Sequence, residues 1–427
     1  MTQELKRSLG LVQCTLMGVG VMLGAGIYTL VGQAALLAGN SVWLSFFIAS
    51  VVAGVTGLSY AELSSFIPKA GGQYYYASRA FGPFVAFLTA WILLLGVCVC
   101  SSTVAIGFAG YLHAMTGTNE ILSASLLVVA AAALLVYGIE QSAWVAGICT
   151  AVELIGLGIV IVVGLPKMGT TDYFETATGG TIGILTAAAL IFFAYIGFEE
   201  IVQLAEETRD ASKNIPRSVM FSIVVTTILY VVVALCAVSV LGWEKLGASK
   251  SPLADVAAFA LGHKAFLVLS VIALFSTGNT VLIMLMSAAR LLYGMAEDGS
   301  LPRVFAKIHK TRQSPYVATC AVAALAIAMI VTLQNITVVA SLTNFSLLTT
   351  FVIINGAVVV LRYREPHVDR PFKIPGSIGK LPVIPLLGVF SSLVMLPFVG
   401  RAAIIIGTSL AAVGLLLYLM PRCLRTK

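Results

Sequence analysis

Charged side chains are scarce in this sequence, and their scarcity excludes a soluble globular fold. Asp, Glu, Lys and Arg make up 10% of the 427 residues, whereas apolar residues make up 59% and the mean hydropathy is +1.02. A soluble domain needs roughly 25% charged residues to cover its surface. We therefore expect lipid to be the main solvent of this chain. Its net charge of +7 is explained by membrane topology, and no nucleic-acid partner is predicted.

Motifs for metal binding and nucleophilic catalysis are also missing. The seven cysteines form no Cys-x-x-Cys pair and lie mostly within apolar segments, as small packing residues do. The four histidines fall in loops or at helix ends, and neither His-Glu-x-x-His nor Gly-x-Ser-x-Gly occurs. These absences argue against an intramembrane enzyme, a disulfide framework and a metal site, and we expect no cofactor.

Apolar runs of about 20 residues, enough to cross a hydrocarbon core, recur along the whole chain. They are too long for strands and lack the sustained alternation of a membrane β-barrel. The sequence therefore predicts an all-α membrane protein with twelve transmembrane helices. The predicted spans are residues 12–37, 43–66, 82–113, 121–138, 143–165, 181–207, 217–242, 265–296, 316–333, 337–361, 381–400 and 402–420.

The distribution of Lys and Arg predicts the orientation. If the N-terminus is cytoplasmic, 20 of the 25 basic residues fall on the inner side of the membrane. The outer side then holds Lys167, Lys245, Lys250, Lys264 and Arg401. Because cytoplasmic loops carry the excess of Lys and Arg, both termini are predicted to be cytoplasmic, in a multi-pass protein of the plasma membrane.

Glycines cluster in the first span, where Gly18, Gly20, Gly24 and Gly26 lie within nine residues. Glycine in a helix interior costs about 1 kcal/mol relative to alanine, so the cluster predicts an opened helix. In hydrocarbon, an opened backbone persists only where it lines a cavity or is buried in protein. The alternative for Gly20 and Gly24, four residues apart, is a helix-packing face.

A second interruption lies at Gly197 in span 6, between aromatic and acidic residues. Spans 1 and 6 are separated by an odd number of spans, so they cross the membrane in opposite directions. Interrupted helices at matching positions of two five-helix units indicate an inverted-repeat transporter with its site near the midplane. The two repeats are expected at about residues 12–165 and 181–361. A channel, the competing hypothesis, requires a continuous polar pore.

Short motifs in a fixed order give the chain a family resemblance. It resembles members of the amino acid–polyamine–organocation superfamily of transporters over nearly its whole length. The resemblance implies a LeuT-type 5+5 core made of spans 1–10, with the two helices at about 381–420 peripheral to it. The motifs are Gly20–Tyr28, Tyr60–Leu63, Pro68–Gly72, Gly197–Glu199, Glu206–Arg209, Asn214–Arg217, Leu274–Thr277 and Ala296–Pro302.

The resemblance implies that an amino acid binds at the two interruptions. N–H groups at Gly24–Gly26 begin a half-helix whose positive end favours a carboxylate. Carbonyl groups around Gly20–Leu23 and Phe193–Ile196 can accept hydrogen bonds from the substrate ammonium. Phe193 and Phe198 match positions where aromatic residues of the family cover the substrate. The expected substrate-binding residues are Gly24, Ala25, Gly26, Phe193, Ile196, Gly197 and Phe198.

Glu153 is an ionisable residue near the midplane of span 5, where charge is costly and usually functional. Many family members carry a lysine at the matching position, where its amine is understood to replace a sodium ion. A carboxyl group removed from water favours its protonated form, so Glu153 can carry the coupling proton. Two alternatives stay open. An ionised Glu153 can hold a cation with Gly20, Ser276 and Thr277, or a protonated one can simply bond a neighbouring carbonyl.

Other acidic residues bear on gating and selectivity. Glu199 is expected to connect span 6 to span 1 or span 10 through hydrogen bonds, with protonation tied to opening. Glu62, Glu206 and Glu207 lie near inner helix ends, facing Arg209 and other basic residues, where inner-gate ion pairing and loop anchoring fit equally well. Span 3 contains no acidic residue, which favours neutral amino acids, although Glu199 can serve a cationic substrate instead. Proton symport is the preferred mechanism, with sodium symport and amino acid or polyamine exchange as alternatives.

Overall fold

The computed structural model describes residues 7–69, 71–249, 251–332, 336–378 and 381–419. Some of the basic residues used to predict orientation lie outside this part. They are Lys250 on the predicted outer side, and Lys6, Lys380, Arg422, Arg425 and Lys427 on the predicted inner side.

Helices make up nearly all of the regular structure in the described residues. They are α1 (Leu11–Leu23), α2 (Ala25–Ala38), α3 (Val42–Phe66), α4 (Gly72–Phe81), α5 (Pro83–Thr116), α6 (Glu120–Tyr137), α7 (Ile139–Gly164), α8 (Gly180–Ile191), α9 (Ala211–Ala248), α10 (Pro252–Leu261), α11 (His263–Glu297), α12 (Tyr316–Thr332), α13 (Ile336–Arg364), α14 (Val383–Met395) and α15 (Arg401–Leu419). A small antiparallel pair, β1 (Ser377–Ile378) and β2 (Leu381–Pro382), precedes α14.

Ten helical segments of the described chain are long and apolar enough to cross a membrane. Three shorter apolar helices cover Pro252–Leu261, Tyr316–Val331 and Val383–Val399. The prediction of a multi-pass helical membrane protein is therefore confirmed. The count of twelve spans stays a prediction, because the predicted spans 316–333 and 381–400 coincide with two of the shorter helices.

Two details of the predicted organisation differ from the structure. α4 takes in Tyr74–Tyr76 and α10 follows Ser251, in segments that the hydropathy pattern treats as connections. α7 begins at Ile139 rather than at residue 143, which places Glu153 close to the middle of a 26-residue helix. Glycine and proline at the helix starts set these limits, since Gly71, Gly138 and Pro252 lie there.

The segments with interruptions lie inside the bundle. In Leu11–Tyr28, 71% of the most apolar stretch is buried inside the protein, and in Gly180–Glu207 the share is 72%. The corresponding share in Arg401–Leu419 is 17%. α1 contacts α7, α9 and α11, which surround it. The interrupted helices are therefore enclosed by protein, where non-helical backbone is tolerated.

Candidate functional site

The first interruption separates α1 from α2 at Gly24, whose ψ of −143° is not helical. α2 begins at Ala25, and no side chain of the described residues caps this start. Thr280 of α11 lies directly against the interruption, because a Cβ on Gly24 would be 1.7 Å from its Oγ1. The first N–H groups of α2 thus lack side-chain partners, as a site for a carboxylate requires.

The second interruption follows α8. A 3-10 turn covers Phe192–Tyr195, Ile196 is extended, and Gly197 has a φ of 134°. A second 3-10 helix then runs over Phe198–Glu207. A φ of this value strains every residue except glycine, so Gly197 fixes the position of the break.

The two interruptions touch each other. A Cβ on Gly26 would lie 2.4 Å from Cα of Ala194, which leaves no room for any side chain at Gly26. A Cβ on Gly197 would lie 2.1 Å from Cγ1 of Val21. Gly26 at the start of α2 therefore lies against the 3-10 turn of the second interruption, and Gly197 lies against the side chain of Val21 near the end of α1.

Tyr230 of α9 bridges the two interruptions. Its buried hydroxyl hydrogen-bonds the carbonyl oxygen of Met22 and lies 3.0 Å from the carbonyl oxygen of Ala194. These carbonyl groups belong to the end of α1 and to the 3-10 turn after α8. The sequence analysis did not single out Tyr230, because a tyrosine within a long apolar span carries no distinguishing pattern.

The predicted aromatic residues lie beside the break in different surroundings. The ring of Phe198 packs against Tyr60 and Phe351, with centroids 5.9 and 5.5 Å away. Phe193 and Ile196 are also buried, with exposed fractions of 8% and 4%. Phe198 is thus held within an aromatic cluster, whereas Phe193 lies in the 3-10 turn that forms the break.

Glu153 is completely buried on α7. Its Oε1 accepts a hydrogen bond from Nδ2 of Asn279 over 3.1 Å, and no described residue donates to its Oε2. The Tyr28 hydroxyl donates to the backbone carbonyl of Glu153 over 3.2 Å, which ties α2 to α7. An ionised carboxylate in this position lacks the donors that it needs, whereas a protonated one needs fewer.

Gly20 lies next to the groups that reach Glu153. A Cβ on Gly20 would be 2.0 Å from Oγ1 of Thr150 and 2.6 Å from Nδ2 of Asn279. That amide nitrogen is 3.3 Å from Thr150 Oγ1. The structure therefore brings Gly20 and Glu153 to one cluster, joined by Thr150 and Asn279.

The other predicted coupling residues on α11 are buried but differ in their contacts. The Ser276 hydroxyl lies 3.5 Å from the carbonyl oxygen of Leu23, at the end of α1. The Thr277 hydroxyl donates to the carbonyl of Ala273 within its own helix, over 2.7 Å. Ser276 thus faces the first interruption, and the described hydrogen bonds of Thr277 stay within α11.

The amino-acid sequence of the chain matches a known family of membrane proteins. The family profile described as amino acid permease matches residues 9–420. The chain belongs to this family. The resemblance to the amino acid–polyamine–organocation superfamily is thereby confirmed, and family membership points to a transporter rather than an enzyme.

Relatives of this permease are named as transporters of different substrates. It is 30% identical to a branched-chain amino acid permease of Bacillus subtilis, over 98% of this chain and 93% of that protein. It is 29% identical to a methylthioribose transporter of the same organism, over 90% and 87% of the two chains. Identity to a vacuolar cationic amino acid transporter 2 of Arabidopsis thaliana is 31%, over 88% of this permease and 62% of the relative.

Glu199 of the permease folds back onto the break. Its Oε2 accepts a hydrogen bond from the Gly197 backbone N–H over 3.0 Å, and its Oε1 has no hydrogen-bond partner among the described residues. Gln73 of α4 donates to the Glu199 carbonyl over 3.2 Å. The described bonds of the carboxylate therefore stay in its own segment and do not reach span 1 or span 10. Next to it, the carboxylate of Glu200 accepts from the Ser287 hydroxyl of α11.

A buried ion pair closes the far end of the second 3-10 helix. Arg290 donates to both carboxylate oxygens of Glu207, over 2.9 and 2.8 Å, and both side chains are fully buried. The Glu207 carbonyl also accepts from the backbone N–H groups of Ser8 and Leu9. Glu207 therefore pairs with Arg290 inside the bundle and not with Arg209. Arg290, one of the basic residues counted on the predicted inner side, is a core residue.

A second ion pair joins α3 to α13. Arg362 donates to the carboxylate of Glu62, and Nε of Arg370 lies 3.4 Å from Glu62 Oε1. Burial lowers the pKa of Arg370, and the charge of Glu62 opposes that shift. The backbone N–H of Ile374 donates to the same carboxylate over 2.8 Å. Glu62 thereby anchors the segment that follows α13.

Proposed function

We propose that this permease is a secondary active transporter that moves amino acids across the plasma membrane by alternating access. The proposed architecture is a LeuT-type fold of twelve transmembrane helices, with inverted repeats at residues 12–165 and 181–361 and both termini cytoplasmic. The observation that carries the proposal is the contact between the two interruptions, Gly26 on Ala194 and Gly197 on Val21. Two enclosed segments that touch each other beside their interruptions support a binding site there.

The substrate-binding site in this proposal lies at the interruptions. The uncapped start of α2 at Gly24, Ala25 and Gly26 binds the carboxylate, since N–H groups and the helix dipole both favour an anion. Carbonyl groups near Phe193, Ile196 and Gly197 accept from the ammonium. Phe198, fixed by its aromatic neighbours, forms part of the wall.

The coupling ion in this proposal is a proton carried by Glu153. The carboxylate is fully buried, and no described residue donates to its Oε2. Asn279 and Thr150 connect it to Gly20 on α1, so a change in its charge acts on the helix that ends at the substrate site. Ser276, Thr277 and Glu199 are the further residues assigned to coupling.

Neutral amino acids are the proposed substrates, because α5 carries no Asp or Glu to pair with a cationic side chain. A cationic substrate is the second candidate. It is favoured by the buried Glu199 Oε1, which has no hydrogen-bond partner among the described residues, and by the name of the Arabidopsis relative.

Counterflow in proteoliposomes tests the proposal. Vesicles preloaded with one unlabelled amino acid at a time, and given external labelled amino acid, show which substrates are carried and whether they exchange. Imposed pH or sodium gradients then identify the coupling ion. We expect saturable uptake of neutral amino acids, driven by an inward proton gradient and indifferent to sodium. Uptake confined to arginine and lysine would replace the neutral assignment, and unsaturable conductance would overturn the transporter mechanism.

A further inference from the structure

A large cavity lies at the connection between α11 and α12, apart from the interruptions. Its volume is about 840 Å³, within the range of roughly 300–1,000 Å³ that small-molecule sites occupy. Arg303, Lys307 and Lys310 line it, together with His309. The cavity is therefore lined by positive charge on residues that the proposed transport site does not use.

These three cations have no ion pair among the described residues, and their side chains are exposed. The carboxylate in the cavity wall, Glu297, accepts hydrogen bonds from the hydroxyls of Tyr75 and Tyr293, each over 3.4 Å. Three cations beside one carboxylate leave a net positive field, which an anion in the cavity relieves.

The connection is fixed against α6 at its C-terminal end. Arg312 donates to the carbonyl of Tyr137 over 2.9 Å and lies 3.8 Å from the centroid of its ring. The Ser314 hydroxyl donates to the carbonyl of Val136 over 2.9 Å, and the backbone N–H of His309 donates to the Ser314 carbonyl. The cationic residues are thus carried by a segment that is already folded onto the bundle.

The N-terminal end of the connection is fixed as well. The Ser300 backbone N–H donates to the carbonyl of Met295, and its hydroxyl lies 2.5 Å from the hydroxyl of Tyr74 on α4. Tyr74 also hydrogen-bonds Asp298. With both ends held, the cavity exists before any ligand enters, which lowers the entropy cost of binding.

The position of the cavity suggests the ligand class. α11 is long and apolar enough to cross a membrane, and α12 coincides with the predicted span 316–333, so the connection between them is expected at the inner membrane surface. Tyr293 and Tyr316 line the wall, and Val304 beside Arg303 is 43% exposed. Aromatic and cationic side chains at this level are typical contacts of lipid phosphates, and Arg and Lys are the residues that bind phosphate.

We infer that the cavity between α11 and α12 binds a phosphate-bearing anion through Arg303, Lys307 and Lys310. The anion is the headgroup of an acidic phospholipid or a soluble phosphate. The assignment is independent of the transported substrate, since none of these residues contributes to the interruptions.

Native mass spectrometry of the full-length permease in neutral detergent tests this inference. The probes are dioctanoyl phosphatidylglycerol, zwitterionic dioctanoyl phosphatidylcholine and inorganic phosphate. The cavity variant is Arg303→Gln/Lys307→Gln/Lys310→Gln. The matched control is Lys213→Gln/Arg217→Gln/Lys373→Gln, which removes the same number of exposed positive charges elsewhere on the predicted inner side.

We expect the acidic lipid to stay bound to the wild type and the control, and binding to weaken about fivefold for each cavity charge removed. The single variants Lys307→Gln and Lys310→Gln should also bind the acidic lipid more weakly, whereas Lys307→Arg should bind it as the wild type does. If inorganic phosphate at the same concentration displaces the lipid, the ligand is a soluble phosphate. If the lipid stays bound, the ligand is the phospholipid headgroup. The inference would be overturned if both triple variants lost the same amount of acidic-lipid binding, or if the wild type retained the zwitterionic lipid as well as the acidic one. Absence of acidic-lipid binding to the wild type would also overturn it.

Discussion

The side-chain amide of Asn279 donates a hydrogen bond to the Glu153 carboxylate over 3.1 Å, and so joins α11 to α7 inside the bundle. The same amide nitrogen reaches Thr150, which lies against Gly20. One polar side chain thus connects three helices at the level of the proposed coupling residue. A buried polar group that loses its hydrogen-bond partner destabilises the folded protein, so substitutions in this network should change the free energy of unfolding measurably.

Glu153→Gln removes the proton that Glu153 is proposed to carry while it keeps the shape of the side chain. We expect counterflow to persist and accumulation driven by a pH gradient to disappear. For one coupled proton, a gradient of one pH unit drives about tenfold accumulation in the wild type. The exposed Glu120→Gln serves as the control and should keep the wild-type response. An unchanged response of Glu153→Gln to the gradient would contradict the assignment.

Asn279→Ala removes the described donor to the Glu153 carboxylate. We expect the free energy of unfolding to fall by about 1–3 kcal/mol, because a buried acceptor loses its partner. In a Glu153→Met background, which lacks the acceptor oxygen, the same change should cost less, and the coupling energy should be about 0.5–3 kcal/mol. Unfolding titrations of the four proteins in mixed micelles measure this cycle. Strictly additive effects would show that the two side chains act independently.

Gly197→Ala places a Cβ on a residue with a φ of 134° and only 2.1 Å from Val21 Cγ1. The backbone conformation alone costs about 1–2 kcal/mol, and the overlap adds about 1–3 kcal/mol. We expect loss of substrate binding in an equilibrium assay together with a lower melting temperature. Gly54→Ala is the control, since nothing lies within 4 Å of its Cβ. Wild-type binding by Gly197→Ala would exclude a functional break at this position.

Tyr230→Phe removes the hydroxyl that bridges the Met22 and Ala194 carbonyl groups. The ring stays in place between Phe46 and Tyr195, so the packing is kept. We expect substrate affinity to fall about fivefold, the equivalent of about 1 kcal/mol for one hydrogen bond. Tyr363→Phe, on a ring that is 49% exposed, is the comparison and should not change affinity. Equal affinities for both variants would remove Tyr230 from the site.

Arg290→Met breaks the buried ion pair with Glu207 and leaves an unpaired charge. We expect a loss of about 3–5 kcal/mol in unfolding free energy, which Glu207→Leu in the same chain should partly restore. Arg79→Met provides the contrast, because its pair with Glu365 is 38% and 28% exposed and should be worth about 0.2–1 kcal/mol. Similar losses for both arginine variants would show that burial does not set the strength of the Arg290 pair.

The sequence by itself determined the local features of this permease. Apolar runs define the helices, because a membrane span needs a continuous apolar stretch. The glycine cluster between Gly18 and Gly26, and Gly197 in span 6, predict interrupted helices because glycine is costly in a helix interior. Glu153 was found because an acid in an apolar span is rare. Each of these signals resides in neighbouring residues and needs no knowledge of packing.

Only the tertiary structure decided which side chains meet. Asn279 lies 126 positions from Glu153, and Arg290 lies 83 positions from Glu207, so no sequence spacing relates them. The sequence placed Arg209 beside Glu207 because it is near in the chain, yet α11 supplies the partner. Hydrogen bonds and ion pairs between helices depend on how the helices pack, and packing is set by shape complementarity across the whole bundle.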